Sequence, residues 1–176
     1  MEEKLYRVAV KQRLGPRPRH WTRRFKAFEI RKCPSPLFTV EDTSSAVRNY
    51  WFPNIVSERS SSHFYQNYES LTVLILSDRL VTGHIFVNFG TIKTWARHCV
   101  EFVGAAIVYG AGSIILVHKL RGGVEAIPRA EHFELKKSFE QAADPFAVRI
   151  LDYVIVGFSE FRSLVDVGTA SHDEVN

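Results

Sequence analysis

His118 is the side chain in this sequence whose position best suits chemistry. It follows Ile114–Val117, a continuous apolar run that is typical of a β-strand covered on both faces. A side chain at such a strand end is held rigidly and still meets solvent, which suits metal ligands and catalytic groups. Gly122 and Gly123 then predict a loop. On this residue alone, a histidine that merely caps the strand is the simpler interpretation.

Spacing argues against other reactive groups. Cys99 directly follows His98 in a predicted helix, where adjacent residues do not face each other, so a histidine-activated thiol is not predicted. Gly122-Gly123 lacks the Gly-Lys-Ser/Thr context of a phosphate-binding loop. His63 and His84 show no metal-binding spacing. We therefore expect these groups to have structural or surface roles.

The elements that position His118 follow an α/β order. Hydrophobic periodicity and turn signals predict a helix that starts near residue 40 and ends at Pro53, a hairpin of 71–77 and 80–89, helices at 93–109 and 131–143, and a strand at 149–157. In the last helix we expect Phe133 and Phe139 to face the core. The side chains that recur at helical spacing in the 93–109 helix are predicted core residues: Trp95, Cys99, Phe102, Val103 and Ala106.

Three segments, in order and spacing, resemble one known family. Gly90–Phe102 aligns without gaps with the pattern GTLNSSPVHPREV, Ser113–His118 matches the strand that leads into HNHPSG, and Ile150–Gly157 is similar to LLDHIIVG. From about Val40 to Gly168 the chain therefore resembles the RadC-like branch of the JAB/MPN metal-dependent domains. The residues retained in the first segment are Gly90, Thr91, His98 and Glu101.

The resemblance implies a fold and a division of the chain. It implies a single α/β domain of the JAB/MPN (cytidine-deaminase-like) type, with a mixed β-sheet flanked by helices, at residues 40–168. Outside that span, two partly alternating segments predict a basic N-terminal β-hairpin extension at residues 1–39, and residues 169–176 are a polar tail.

The resemblance also implies a site. Family members hold one zinc ion with two histidines from HxHP and an aspartate from PSxxD, and an upstream glutamate acts as general base. Here Glu69 stands at the glutamate position and His118 at the first histidine. Leu120 stands at the second histidine, Arg129 at the serine and His132 at the aspartate.

The changed positions weaken the implied metal site. Catalytic zinc usually takes three protein ligands and a water molecule, and leucine has no lone pair to offer. The charge of Arg129 would repel a divalent cation. We expect a weak or absent zinc site at His118 and His132, and a non-catalytic binding or accessory protein. The alternative is a residual zinc-dependent metallopeptidase or hydrolase, with Glu131 or Glu134 as a third ligand.

Positive charge is concentrated at the N-terminus. Residues 1–32 hold eleven lysines and arginines against three acids, a net charge of +8, and the rest of the chain carries −4. Tyr6, Trp21 and Phe25 lie among them. Such a mixture can follow phosphates and stack on bases, so a nucleic-acid-binding module is a further alternative to a solvated hairpin. The residues assigned to it are Arg17, Arg19, Arg23 and Arg24.

Composition and length are those of one ordinary domain. The chain has 176 residues, 45% of them hydrophobic, and no apolar run long enough to cross a membrane. Its start lacks the layout of a secretory signal, and its two cysteines suggest no disulfide framework, so we expect a cytoplasmic protein. The resemblance adds a DNA-repair association. A protein or peptide partner is expected but not identified by the residues.

Overall fold

In the part of the chain that the structure describes, a mixed seven-stranded sheet forms the centre of the fold. The computed structural model describes residues 29–32, 38–39, 42–56, 69–87, 90–122, 124–158 and 160–165. The strands are β1 (Glu29–Lys32), β2 (Phe38–Thr39), β3 (Ser70–Ser77), β4 (Leu80–Val87), β5 (Ser113–Lys119), β6 (Arg149–Val156) and β7 (Phe161–Ser163). The strand order is β1-β4-β3-β5-β6-β7, and β2 also pairs with β4. Only β5 and β6 are parallel among the described pairs.

The predicted hairpin is confirmed. Asp78 and Arg79 join β3 to β4, and both have positive φ angles, 47° and 65°. A two-residue turn of this kind matches the right-handed twist of the flanking strands. The predicted N-terminal hairpin cannot be compared, because residues 1–28 lie outside the described residues. The short strand Glu29–Lys32 pairs antiparallel with β4.

One face of the sheet packs against the helical segment that lies between β2 and β3 in the chain. A short helix α1 (Thr43–Ser45), capped by Asp42, leads directly into a π-helical segment α2 (Ala46–Val56). Tyr50 and Trp51 are buried there. The prediction that Pro53 ends the helix is wrong, since the helical turns continue to Val56. In an α-helix, a proline ring clashes with the carbonyl group four residues earlier. The hydrogen bonds of a π-helix span five residues, so this clash does not determine where the helix ends.

The opposite face packs against three helices, α3 (Ile92–Arg97), α4 (Cys99–Val108) and α5 (Ala130–Ala143). The five predicted core residues of α3 and α4 are all buried. They belong to two helices and not to one, because His98 has φ −113° and ψ 15° and interrupts the α-helical geometry. The apolar spacing continues through this break, so periodicity alone does not reveal it.

Helix α5 makes the parallel crossover from β5 to β6. Its buried side chains are His132, Leu135, Phe139 and Ala143. The prediction for Phe139 is confirmed. Its ring stacks on that of Phe102, with the ring centroids 6.1 Å apart. The prediction for Phe133 is wrong, since it is 43% exposed. The helix turns a polar residue, His132, toward the sheet in its place. No helix in the described part of the chain is both long and apolar enough to span a membrane.

Candidate functional site

Strand register brings Glu69 and His118 together. β3 and β5 run antiparallel, with Leu71 opposite His118 and Ser70 opposite Lys119. The residue that precedes β3 therefore lies beside the end of β5. Glu69 Oε1 is 2.8 Å from His118 Nε2. The histidine is fully buried and the Glu69 side chain is 31% exposed, so the pair reaches solvent through the carboxylate.

Tyr153 also belongs to this cluster, although it was not predicted from the sequence. It lies in β6, parallel to β5, and its hydroxyl is 2.7 Å from His118 Nδ1. The phenol is fully buried. One signal could have found it. In the segment similar to LLDHIIVG, Tyr153 stands where that pattern has a histidine.

His132 enters the cluster from the first turn of α5. Its Nδ1 accepts a hydrogen bond from the backbone N–H of Arg129 at 3.0 Å. The ring centroid lies 5.3 Å from that of His118 and 6.0 Å from that of Tyr153. The ring is 1% exposed, and its Nε2 has no hydrogen-bond partner among the described residues. The Trp95 ring packs edge-to-face against the His118 ring, with the two ring centroids 5.0 Å apart.

The protonation states follow from these contacts. The hydrogen bond with His118 lowers the pKa of the Glu69 carboxyl, against the opposing effect of partial burial. Burial lowers the pKa of the His132 imidazole to about 4, and the charges of His118 and Arg129 act in the same direction. Burial raises the pKa of the Tyr153 phenol well above its usual value, and nearby carboxylates add to this. At neutral pH the carboxylate is charged, His132 is neutral and the phenol keeps its proton.

The protonation state of Glu69 determines which atom donates in its hydrogen bond with His118. An ionised carboxylate only accepts hydrogen bonds, so His118 Nε2–H donates to Glu69. His118 Nδ1 is paired with the Tyr153 hydroxyl at 2.7 Å, so both ring nitrogens are engaged whichever of these two atoms donates. Tyr153, His118 and Glu69 form one hydrogen-bonded chain that joins β6 and β5 to the residue that precedes β3.

Leu120 and Arg129, the two remaining predicted site positions, lie at the rim. Leu120 is partly buried and packs against the core. Its backbone N–H bonds to Val156 O at 2.8 Å. Arg129 is exposed and precedes the first turn of α5, and its charge acts on both Glu69 and His132.

The loop between β5 and α5 is held against the end of β6. A Cβ added to Gly157 would lie 2.6 Å from Ala126 N and 2.8 Å from Val124 O. The backbone N–H of Phe158 bonds to Val124 O at 3.0 Å. Only a glycine permits this approach of two backbones.

The described donor set does not fit a catalytic zinc ion. Both nitrogens of His118 are bonded within the protein, Nε2 to Glu69 and Nδ1 to Tyr153. Leu120 offers no donor atom. Among the residues that the structure describes, no group of three or more His, Cys, Asp or Glu is arranged to hold a metal ion. Glu131 and Glu134, the expected substitutes for a third ligand, are exposed.

The remaining candidates from the sequence either lie outside the described residues or have structural contacts of their own. The four assigned arginines at positions 17, 19, 23 and 24 lie outside the described residues, and the nucleic-acid assignment stays a prediction. Cys99 is buried, its Sγ is 3.4 Å from Trp95 O, and desolvation raises the pKa of its thiol to about 12. His84 is 3.0 Å from the Tyr50 hydroxyl on the opposite face of the sheet.

Comparison with known proteins gives one consistent result. The family model described as "RadC-like JAB domain" matches residues 42–169. Similar proteins include a UPF0758 protein of Staphylococcus epidermidis, 31% identical over 57% of this chain and 44% of that protein. Another UPF0758 protein, from Geotalea uraniireducens, is 24% identical over 92% of this chain and 63% of that protein. The chain spans about half the length of these curated relatives.

Proposed function

Because this chain belongs to the RadC-like JAB domain family, we propose that it is a catalytically degenerate member that acts through binding and not through zinc-dependent hydrolysis. One observation carries the proposal. The His118 imidazole, at the first zinc-ligand position, is engaged at both nitrogens, by Glu69 at 2.8 Å and by Tyr153 at 2.7 Å. A side chain bonded in this way links β5 to β6 and to the residue that precedes β3, and it offers no lone pair to an ion.

A protein or peptide is the partner that the surface supports. Three exposed apolar side chains lie on the loop after β5 and at the end of β6: Val124, Ile127 and Phe158, which are 37%, 54% and 81% exposed. Exposed apolar groups of this kind are typical of interaction sites when they lie together. The DNA-repair association of the family stays a prediction for this chain, as does a cytoplasmic location.

Zinc analysis of the purified full chain tests the proposal. We expect far less than one zinc ion per chain and no cleavage of peptide or isopeptide substrates. Stoichiometric zinc that is lost in His118→Ala but kept in the control His98→Ala would overturn it. Zinc lost only in the control would lie elsewhere on the surface, and the proposal would stand.

A residual metallohydrolase is the second candidate. The observation in its favour is the buried Nε2 of His132, which has no hydrogen-bond partner among the described residues and lies close to His118. If Nε2 carried a lone pair, it could serve as a ligand. Which tautomer His132 adopts therefore separates the two candidates.

A further inference from the structure

His132 performs a helix-capping task that an imidazole cannot combine with metal ligation. It is the third residue of α5, and its side chain accepts the backbone N–H of Arg129, the residue that precedes the helix. This is the bond that a glutamate or glutamine makes at the same position of a capping box. A carboxylate here could accept the N–H with one oxygen and keep lone pairs on the other for an ion.

A neutral imidazole has one N–H group and one in-plane lone pair. The backbone amide of Arg129 can only donate, so the lone pair used in the cap must be that of His132 Nδ1. The proton then lies on Nε2. Moving it to Nδ1 would set two N–H groups against each other at 3.0 Å.

We infer that the α5 cap fixes His132 as the Nε2–H tautomer, so that His132 presents a hydrogen-bond donor to the cluster where a metal ligand would be required. The inference deepens the proposed function and rests on it, because it explains why the His132 position does not ligate zinc. His118 adds no lone pair, since Nε2 and Nδ1 are both engaged.

The tautomer can be measured directly on the full chain. Long-range ¹H–¹⁵N correlation spectra of ¹⁵N-histidine-labelled protein at pH 7 distinguish Nδ1–H from Nε2–H rings, and loss of signals in His132→Asn assigns His132. We expect a protonated Nε2 whose shift does not change when one equivalent of zinc chloride is added. A protonated Nδ1, or a zinc-dependent shift of Nε2, would overturn the inference.

A pair of variants tests the consequence for metal binding. Leu120→His alone restores one ligand type but leaves the capped imidazole in place. Leu120→His combined with His132→Asp exchanges that imidazole for a carboxylate. We expect the double variant to bind zinc at least about tenfold more tightly, by competition with a chelating dye. Equal zinc affinities in the two folded variants would refute the inference. They would leave the zinc content of the unmodified chain, and hence the proposed function, unaffected.

Discussion

Replacing Tyr153 with phenylalanine should destabilise the fold through His118. The substitution removes a 2.7 Å hydrogen bond between two fully buried side chains and leaves His118 Nδ1 without its partner. Losing one partner of a buried pair costs about 1–3 kcal/mol. For a domain of this size, that corresponds to a decrease in melting temperature of roughly 2–12 °C. Urea unfolding followed by circular dichroism measures the change in the free energy of unfolding.

A matched control is available in Tyr109→Phe. Tyr109 is partly buried against the same core, and its hydroxyl has no hydrogen bond with any described residue. We expect this control to change the free energy of unfolding by less than about 0.5 kcal/mol. Because Glu69 bonds the other nitrogen of His118, the effects of Tyr153→Phe and Glu69→Gln should be non-additive. A Tyr153→Phe protein as stable as the control, or strict additivity, would refute the hydrogen-bonded chain.

Replacing His132 with asparagine should reduce the sensitivity of folding to acid. The folded-state pKa of this imidazole is about 4 and the ordinary value is 6.5. Neutral His132 therefore stabilises the fold above pH 6.5 and loses that contribution as the pH falls toward 4, so the urea midpoint should fall less between pH 7 and pH 5 in the variant. Gly157→Ala should lower the free energy of unfolding by about 1–3 kcal/mol through the clash with Ala126 N. Gly104→Ala, whose Cβ would meet no atom within 4 Å, should raise it by about 0.5–1 kcal/mol, and similar effects at both glycines would contradict the reasoning. Single- and double-stranded oligonucleotides should bind the full chain with strong salt dependence, and equal affinity at low salt after neutralising Arg17, Arg19, Arg23 and Arg24 would remove the nucleic-acid hypothesis.

Much of the fold could be predicted because local signals and burial agree. The hairpin at Asp78 and Arg79 has alternating and apolar strands on both sides, and the strand before His118 has the continuous apolar pattern of a sheet covered on both faces. The helix break at His98 could not be predicted, since Trp95 and Cys99 keep the same core-facing spacing through it.

The site was predictable only in part. Similarity to the family identified Glu69, His118 and His132, and the structure brings all three together. It did not identify Tyr153, which looks like an ordinary strand aromatic in the sequence. The prediction placed Phe133 in the core because it considered hydrophobicity alone. The helix buries His132 instead of Phe133, because His132 Nδ1 accepts the backbone N–H of Arg129 at the start of the helix.

The close approach of Gly157 to the loop has a consequence for recognition. The backbone contact with Val124 and Ala126 and the bond from Phe158 N–H hold the loop against the end of β6. A partner that docked on the proposed binding surface at Phe158 would meet a segment that is already held in place. The association then loses less conformational entropy than the docking of a loose loop would, and more of the contact energy contributes to affinity.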